Sequence, residues 1–264
     1  MTWVTFSAGL AVGALVVARE HRERRTSERL GAAALETLLK AIDANDAETG
    51  AHVRRVATYA VIIAEARGLS PQHRRGVERV ALFHDIGKIH GALFDVLHES
   101  DTLSDEERRS IASHPSRGAD VLSPLHAFYP ELSAGVLAHH ERWDGTGYPR
   151  GLRGRRIPLS ARIVAIADTF DVITHGRRYQ QGRSVDDAAR AIAAGRDRQF
   201  DPTLVDLVTS RPMLARLRVA VHSPPPRSTR DRPERRTGTV HDAPDVTFRW
   251  RSGAVAPPAR VPPR

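Results

Sequence analysis

The chain has 264 residues, a formal net charge of +9, a hydrophobic fraction of 41% and no cysteine. This apolar content is sufficient for a buried core and excludes a globally disordered chain. Without cysteine, disulfide frameworks, zinc–thiolate sites and cysteine nucleophiles are excluded, so any metal must be held by histidine nitrogen and carboxylate oxygen. Residues 211–264 hold 12 arginines against 4 acidic residues, and the rest of the chain is close to neutral. This distribution gives no support for binding a nucleic-acid polymer through the folded part.

The first predicted element is a membrane anchor. Residues 1–18 carry no charged side chain, and basic residues begin directly afterwards at Arg19. A spanning helix needs about 20 apolar residues, with a lower limit near 17. The positive-inside rule then predicts a single-pass protein of the inner (cytoplasmic) membrane, with everything after the anchor in the cytoplasm. Gly9 and Gly13 form a GxxxG pair that would allow a homodimer, or they are simply two of the small residues common in membrane helices.

Beyond the anchor, apolar residues recur at three- and four-residue spacing, which indicates helices. Residues 19–42 are predicted to be a juxtamembrane linker helix and residues 43–212 an all-α domain. Within this part we expect helices over 27–68, 72–87, 104–122, 131–142, 159–175, 186–196 and 202–210. Residues 213–264 are rich in proline and arginine. We expect them to form a disordered tail, because such a composition cannot bury enough surface to offset chain entropy.

Polar side chains interrupt the apolar pattern at several separate places. His84 and Asp85 are adjacent in the run ALFHDIGK, with Lys88 one turn further on. Burying such a pair is costly unless it is hydrogen-bonded or bound to a metal. Taken singly, each such residue is more simply explained as a satisfied core polar group. The set of eight, however, indicates a metal centre: Glu48, His52, His84, Asp85, His114, His139, His140 and Asp168.

The motifs also follow a known order. They are HDIGK at 84–88, HP at 114–115, HHERWDGTGYP at 139–149, ARIVAIAD at 161–168 and QFDP at 199–202. In this order and spacing, the chain from about Asp43 to Asp206 resembles the HD-GYP family of cyclic-di-GMP phosphodiesterases. That family is a branch of the HD metal-dependent phosphohydrolases. The resemblance implies a helical HD-domain bundle for residues 43–212.

The resemblance also implies roles for individual residues. Six of them match ligands of a two-metal site in which Asp85 bridges the ions: His84, Asp85, His114, His139, His140 and Asp168. Glu48 and His52 match the pair that adds a third metal in some family members. Two or three divalent ions are therefore expected, and the nitrogen and oxygen ligands suit iron or manganese. Asp85 and Lys88 are the expected catalytic residues, and Lys88, Tyr148 and Arg177 the expected contacts to substrate phosphate.

The implied reaction is attack of a metal-bound hydroxide on cyclic-di-GMP, which gives pGpG and, after a second cleavage, GMP. Three features depart from the family pattern: Arg178 replaces a proline before Tyr179, Gln180 replaces a basic residue, and the segment Ile89–Asp101 is altered. None of them removes a predicted ligand. They leave two alternatives open, namely an HD phosphohydrolase for another nucleotide or phosphoester and a non-catalytic receptor for the dinucleotide.

Overall fold

A computed structural model describes residues 2–89, 105–177 and 180–223. Side chains are described from Arg19 onward, apart from His21, Arg24, Arg25, Asp105, Glu107, Arg177 and Gln180. The helices in these ranges are α1 (Thr2–Asn45), α2 (Ala47–Ala66), α3 (Pro71–Phe83), α4 (Asp105–Ala112), α5 (His114–Leu122), α6 (Pro130–Leu137), α7 (Leu159–His175), α8 (Val185–Ala194), α9 (Pro202–Val208) and α10 (Arg211–Val221). Short 3-10 turns cover Ile86–Lys88, Ser123–Leu125 and Gly154–Arg156.

The predicted all-α class is confirmed for the described residues. The one addition there is a small antiparallel ladder of β1 (Gly176–Arg177) and β2 (Gln180–Gln181). It follows α7 directly and closes a short hairpin between α7 and α8. Two residues per strand are too few to form a layer of their own. The architecture is therefore a helical bundle with one hairpin.

Helix α2 lies at the centre of the bundle, where it packs against α1, α3, α7 and α10. Its buried apolar residues include Val53, Val56, Tyr59 and Ile63, whose three- and four-residue spacing places them on one stripe. The Tyr59 ring contacts the ring of Phe170 on α7 edge to face, with centroids 4.9 Å apart. This contact fixes α2 against α7 and so sets the distance between the polar residues on their facing sides.

Several helices end earlier than the sequence predicts. The continuous helix over 27–68 is wrong, because the Asp46 side chain caps α2 by accepting hydrogen bonds from the backbone of Glu48 and Thr49 at 3.1 and 3.0 Å. An aspartate at this position stabilises a helix start and favours a break. The helix over 104–122 is likewise interrupted at Ser113, so that His114 begins α5.

Two further helices end just before the motifs that contain histidine. Helix α3 ends at Phe83 and α6 ends at Leu137. His84 and Asp85 therefore lie in the turn after α3, and His139 and His140 lie in the turn after α6, rather than within helices. At these two motifs the residues that interrupt the apolar pattern follow directly after a helix, whereas His52 and Asp168 lie within α2 and α7.

The predicted transmembrane anchor at residues 1–18 is not supported. Among the described residues, no helix combines the length and the apolarity needed to cross a membrane. Residues 2–45 form the single helix α1, in which the stretch without charged residues ends at Ala18 and is short of the about 20 residues of a typical span. The separate linker helix over 19–42 is accordingly part of α1.

The boundary of the predicted tail also changes. Residues 211–221 form α10, in which Met213 and Leu217 are buried against the core, so a disordered tail cannot begin at residue 213. Met213 and Leu217 are one turn apart and lie on the same helix face, a periodicity that the basic composition of this region hides. Residues 224–264 of the predicted tail lie outside the described part of the chain.

The packing of α10 gives a test of this boundary. Leu217→Ala removes a side chain that is 1% exposed, and we expect it to lower the free energy of unfolding by about 2–5 kcal/mol. Val219→Ala, on the same helix but 70% exposed, is the matched control and should change it by less than about 0.5 kcal/mol. Urea unfolding followed by circular dichroism measures both. Equal effects of the two substitutions would contradict the packing of α10.

Candidate metal centre

Five separate segments contribute polar side chains to one buried place. They are α2, the turn after α3, the first residue of α5, the turn after α6, and α7. The side chains that meet there are His52, His84, Asp85, His114, His139, His140 and Asp168. All seven belong to the set of eight that the sequence predicts as one metal centre.

A close backbone contact brings the turn after α3 against α5. A Cβ atom at Gly87 would lie 2.1 Å from the carbonyl oxygen of His114 and 2.7 Å from the backbone nitrogen of Gly118. Only glycine permits this approach without moving one of the two backbones. As a consequence Asp85 Oδ1 lies 3.3 Å from His114 Nε2, although the two residues are far apart in sequence.

The side chains form two groups that share Asp85. The first comprises His52, His84 and Asp85, and the second comprises Asp85, His114, His139 and His140. Within each group the possible ligand atoms lie within 4.8 Å of one another. We call these groups the first and the second cation position. A carboxylate with one oxygen on each side is the arrangement that a bridge between two metal ions requires.

The two oxygens of Asp85 face different groups. Oδ2 lies 3.5 Å from His84 Nε2 and 3.9 Å from His52 Nε2, whereas Oδ1 is 3.9 Å from His139 Nε2. Asp168 adds a second carboxylate to the first position, because its Oδ1 lies 3.3 Å from His52 Nε2 and 3.9 Å from His84 Nε2. Each position thus combines imidazole nitrogen with carboxylate oxygen.

Backbone hydrogen bonds orient three of the imidazoles. Nδ1 of His84, His114 and His139 lies 2.8, 2.6 and 2.6 Å from the carbonyl oxygen three residues earlier. A carbonyl only accepts, so Nδ1 carries the proton, and Nε2 of each neutral ring presents a lone pair. His114 Nε2 and His139 Nε2 lie 3.2 Å apart, and His84 Nε2 and Asp85 Oδ1 are buried without hydrogen-bond partners. Lone pairs that face one another across a buried space fit a divalent cation.

The protonation states agree with this fit. Burial lowers the pKa of His84 and His139 and that of His140 to about 4, so that these rings are neutral at pH 7. Burial opposes the charged form of Asp85 and Asp168 as well, but His84 and Lys88 beside Asp85 and His52 beside Asp168 outweigh it and lower the pKa of both carboxyls. Neutral imidazoles and ionised carboxylates are the forms that bind metal.

His52 is held by a carboxylate that the sequence analysis did not select. Asp171, which is 1% exposed, lies with Oδ2 2.7 Å from His52 Nδ1 and also accepts two hydrogen bonds from Arg55. Burial opposes a charged His52 ring, but Asp168 and Asp171 outweigh it and raise its pKa to about 9. Asp171 follows Asp168 by three residues on α7, and this shared helix face is the sequence signal that identifies it.

A loop after the second cation position places Tyr148 beside it. The Tyr148 ring stacks on the ring of His140, with centroids 5.0 Å apart and planes inclined by 20°. Glu141, which is 4% exposed, holds the loop by accepting hydrogen bonds from the backbone of Arg150 and Leu152 at 2.7 and 2.9 Å. A Cβ atom at Gly147 would lie 2.3 Å from the backbone nitrogen of Arg142, so a side chain there would force the loop away.

The remaining predicted residues differ in where the structure places them. Lys88 is at the site, with Nζ 2.8 Å from Asp85 Oδ2. Glu48 is exposed and lies one turn before His52 on α2, and its role in holding a third ion stays a prediction from the family pattern. Arg177 contributes its backbone to β1, and its side chain lies outside the described residues, as do Arg178, Tyr179 and residues 90–104.

Comparison with known proteins identifies the family. The family model described as "HD domain" matches residues 36–204, which is most of the chain. The chain belongs to the HD-domain family. The resemblance to its HD-GYP branch, drawn from the motifs, is confirmed by relatives that are named as cyclic-dinucleotide phosphodiesterases.

Three of these relatives show how far the similarity extends. The cyclic di-GMP phosphodiesterase response regulator RpfG of Xanthomonas campestris is 40% identical over 71% of this chain and 47% of its own length. The 3'3'-cGAMP-specific phosphodiesterase 2 of Vibrio cholerae is 35% identical over 70% of this chain and 35% of its own length. A cyclic di-GMP phosphodiesterase of Thermotoga maritima is 37% identical over 65% of this chain and 47% of its own length. The chain therefore spans less than half the length of these curated relatives.

Solved structures agree on the fold. A cyclic GMP-AMP-specific phosphodiesterase of V. cholerae (V-cGAP3) matches 76% of this chain and 54% of its own with a TM-score of 0.54 and 23% identity. The HD domain of the phosphodiesterase PgpH of Listeria monocytogenes, in complex with cyclic-di-AMP, matches 70% of this chain and 97% of its own. The TM-score is 0.52 and the sequence identity is 20%. At this identity the likeness extends to the helical fold alone.

The shared carboxylate can be tested without a substrate. Asp85→Asn removes the negative charge and one of the two ligand oxygens, so we expect the purified protein to lose metal from both positions. Asp144→Asn is the matched control, because Asp144 lies in the nearby loop with its carboxylate on Thr146 and belongs to neither position. Elemental analysis after loading with Mn²⁺ and dialysis measures the content. Full occupancy of both positions in Asp85→Asn would rule out the shared ligand.

Proposed function

We propose that this chain is a metal-dependent phosphodiesterase that hydrolyses cyclic-di-GMP to pGpG and, by a second cleavage, to GMP. The observation that carries the proposal is the position of Asp85 between two groups of histidines whose Nε2 atoms face a common buried space. Membership in the HD-domain family and the names of the relatives support the same reaction class.

The proposal includes two divalent cations, with iron or manganese suited to the nitrogen and oxygen ligand set. His52, His84, Asp85 and Asp168 would hold one, and Asp85, His114, His139 and His140 the other. Such a pair supplies Lewis-acid stabilisation of phosphoryl oxygens and a water nucleophile at neutral pH. For a third cation the proposal rests on the match of Glu48 and His52 to the pair that holds one in some family members.

Lys88 and Tyr148 would contact the substrate phosphate. The Lys88 ammonium lies beside the shared carboxylate and is partly exposed, so it can turn toward the oxygens of a bound phosphodiester and stabilise their developing charge. Burial, followed by the negative charges of Asp85 and Asp168, raises the pKa of Tyr148 to about 12. Its phenol therefore stays protonated and can donate a hydrogen bond to phosphate. For Arg177 the same role rests on its match to the family motif.

A second candidate substrate is 3'3'-cGAMP. Two V. cholerae relatives named as specific for it are 35% and 36% identical to this chain, close to the identity of the cyclic-di-GMP enzymes. The two substrates share the cyclic phosphodiester ring and differ in one base, so the same metal centre would serve both. Contacts to the bases would decide between the two substrates. The altered residues Arg178 and Gln180 follow α7 in the sequence, next to the proposed phosphate contact Arg177.

Turnover of defined substrates tests the proposal. The full chain, loaded with Mn²⁺ or Fe²⁺, is incubated with cyclic-di-GMP and with 3'3'-cGAMP, and linear products are separated by chromatography. We expect pGpG from cyclic-di-GMP in a metal-dependent reaction. Faster cleavage of 3'3'-cGAMP would favour the second candidate. Metal binding without cleavage of either dinucleotide would favour another phosphoester substrate, and dinucleotide binding without cleavage would favour a receptor.

Lys88 provides a mutational test of the proposed phosphate contact. Lys88→Met should lower kcat by about 10²–10³-fold, since it removes a cation that stabilises the transition state, while the metal content stays unchanged. Lys40→Met is the matched control, because Lys40 is the other lysine of the chain and lies on the exposed side of α1. A kcat within a few fold of wild type in Lys88→Met would remove Lys88 from the mechanism.

A further inference from the structure

Asp171 is a buried carboxylate that lies outside both cation positions. Its side chain is 1% exposed, and both of its oxygens are fully engaged. Oδ2 lies 2.7 Å from His52 Nδ1 and accepts from Arg55 Nη2 at 2.9 Å, and Oδ1 accepts from Arg55 Nε at 2.7 Å and lies 3.1 Å from His175 Nδ1. A carboxylate with this many partners has one fixed orientation, and it imposes that orientation on the groups around it.

His52 differs from the other oriented histidines in what holds it. The Nδ1 atoms of His84, His114 and His139 contact carbonyl oxygens three residues earlier in the chain, whereas Nδ1 of His52 contacts a side chain 119 residues away. No other contact of His52 Nδ1 occurs among the described residues. The orientation of the ring, and the nitrogen that carries the retained proton, are therefore set from α7.

We propose that Asp171 is a positioning residue for metal binding: its carboxylate keeps the proton of His52 on Nδ1 and aims Nε2 at the first cation position. The role rests on the proposed metal-dependent function. Nε2 of His52 lies 3.3 Å from Asp168 Oδ1 and 3.9 Å from Asp85 Oδ2, so it already faces the two carboxylates of that position. Nε2 would therefore be the nitrogen that holds a cation there, with Nδ1 directed at Asp171.

Asp171 also connects the metal centre to the hairpin after α7. His175 lies one turn further along α7, contacts the same carboxylate, and directly precedes β1. The strand β1 contains Arg177, for which a phosphate contact is proposed. A single carboxylate thus holds one metal-binding ring and the end of the helix that leads to the substrate-binding segment.

Mn²⁺ affinity of the purified full chain, measured by titration calorimetry, tests the proposal. Loss of the partner that orients a metal-binding histidine weakens metal affinity by about 10–100-fold in general. We expect Asp171→Asn to weaken one of two Mn²⁺ binding steps by that factor, and to leave the other step unchanged. His52→Ala identifies the affected step, because it removes the ligand itself from the first position.

The control must separate orientation of His52 from loss of a buried ion pair. Asp201→Asn is matched to the test variant, because Asp201 is 3% exposed and pairs with Arg162 at 2.6 Å but contacts no histidine within the described part of the chain. It should leave both Mn²⁺ steps unchanged. If Asp171→Asn does not fold by circular dichroism, the double variant Arg55→Gln/Asp171→Asn, which removes both charges of the pair, replaces it with the same expected effect.

Two results would overturn the role of Asp171. One is a folded Asp171→Asn, or the double variant, that binds Mn²⁺ as tightly as wild type in both steps. The other is a weakening of the same step by Asp201→Asn, which would assign the effect to general loss of packing. Because no substrate is used, failure of the wild type to cleave cyclic-di-GMP would reject the proposed substrate and leave this result intact.

Discussion

The structure of the site depends on one electrostatic requirement: a buried carboxylate, Asp85, must have positive partners on both of its sides. Lys88 supplies a cation for one oxygen. Four imidazole Nε2 atoms lie within 4 Å of the two oxygens, and those of His84, His114 and His139 present lone pairs, so the proposed metal ions would supply the remaining positive charge. An ionised carboxyl group that is buried is costly unless such partners surround it. Four of the five segments of the site place an imidazole nitrogen within 4 Å of this carboxylate, and Asp168 on α7 faces His52 and His84 instead.

Helix packing brings these segments together, and glycine permits the closest contacts. The turn after α3 reaches the first turn of α5 because Gly87 has no side chain, and the loop with Tyr148 reaches the chain after His140 because Gly147 has none. The bundle around α2 holds the remaining segments through ordinary apolar contacts, such as that between Tyr59 and Phe170. Fold and site are therefore linked through a few backbone contacts where a methyl group would not fit.

The sequence predicts which residues form the site better than it predicts where the helices begin and end. Polar residues in apolar surroundings identify the ligands, because their burial has few explanations other than a metal. Helix limits are less certain, since a cap such as Asp46 competes with a periodic pattern that continues on both sides of it. Helix α10 is hidden for a related reason, because its arginines dominate the composition while Met213 and Leu217 form its buried stripe. Asp171 is missed because its partner His52 is close only after folding.

Three histidines of the site are oriented by backbone carbonyl groups and His52 by a side chain, and this difference affects how the site is assembled. Three rings are oriented by carbonyl groups of their own turns, so their geometry forms as soon as the local backbone does. The fourth is oriented across the bundle and exists in its final form only while α2 and α7 remain in contact. The orientation of the His84, His114 and His139 rings is thus set locally, although their meeting still depends on helix packing, whereas the orientation of the His52 ring depends on packing as well. Separation of α2 from α7 would therefore turn the His52 ring away from its carboxylate while the other three rings kept their backbone hydrogen bonds.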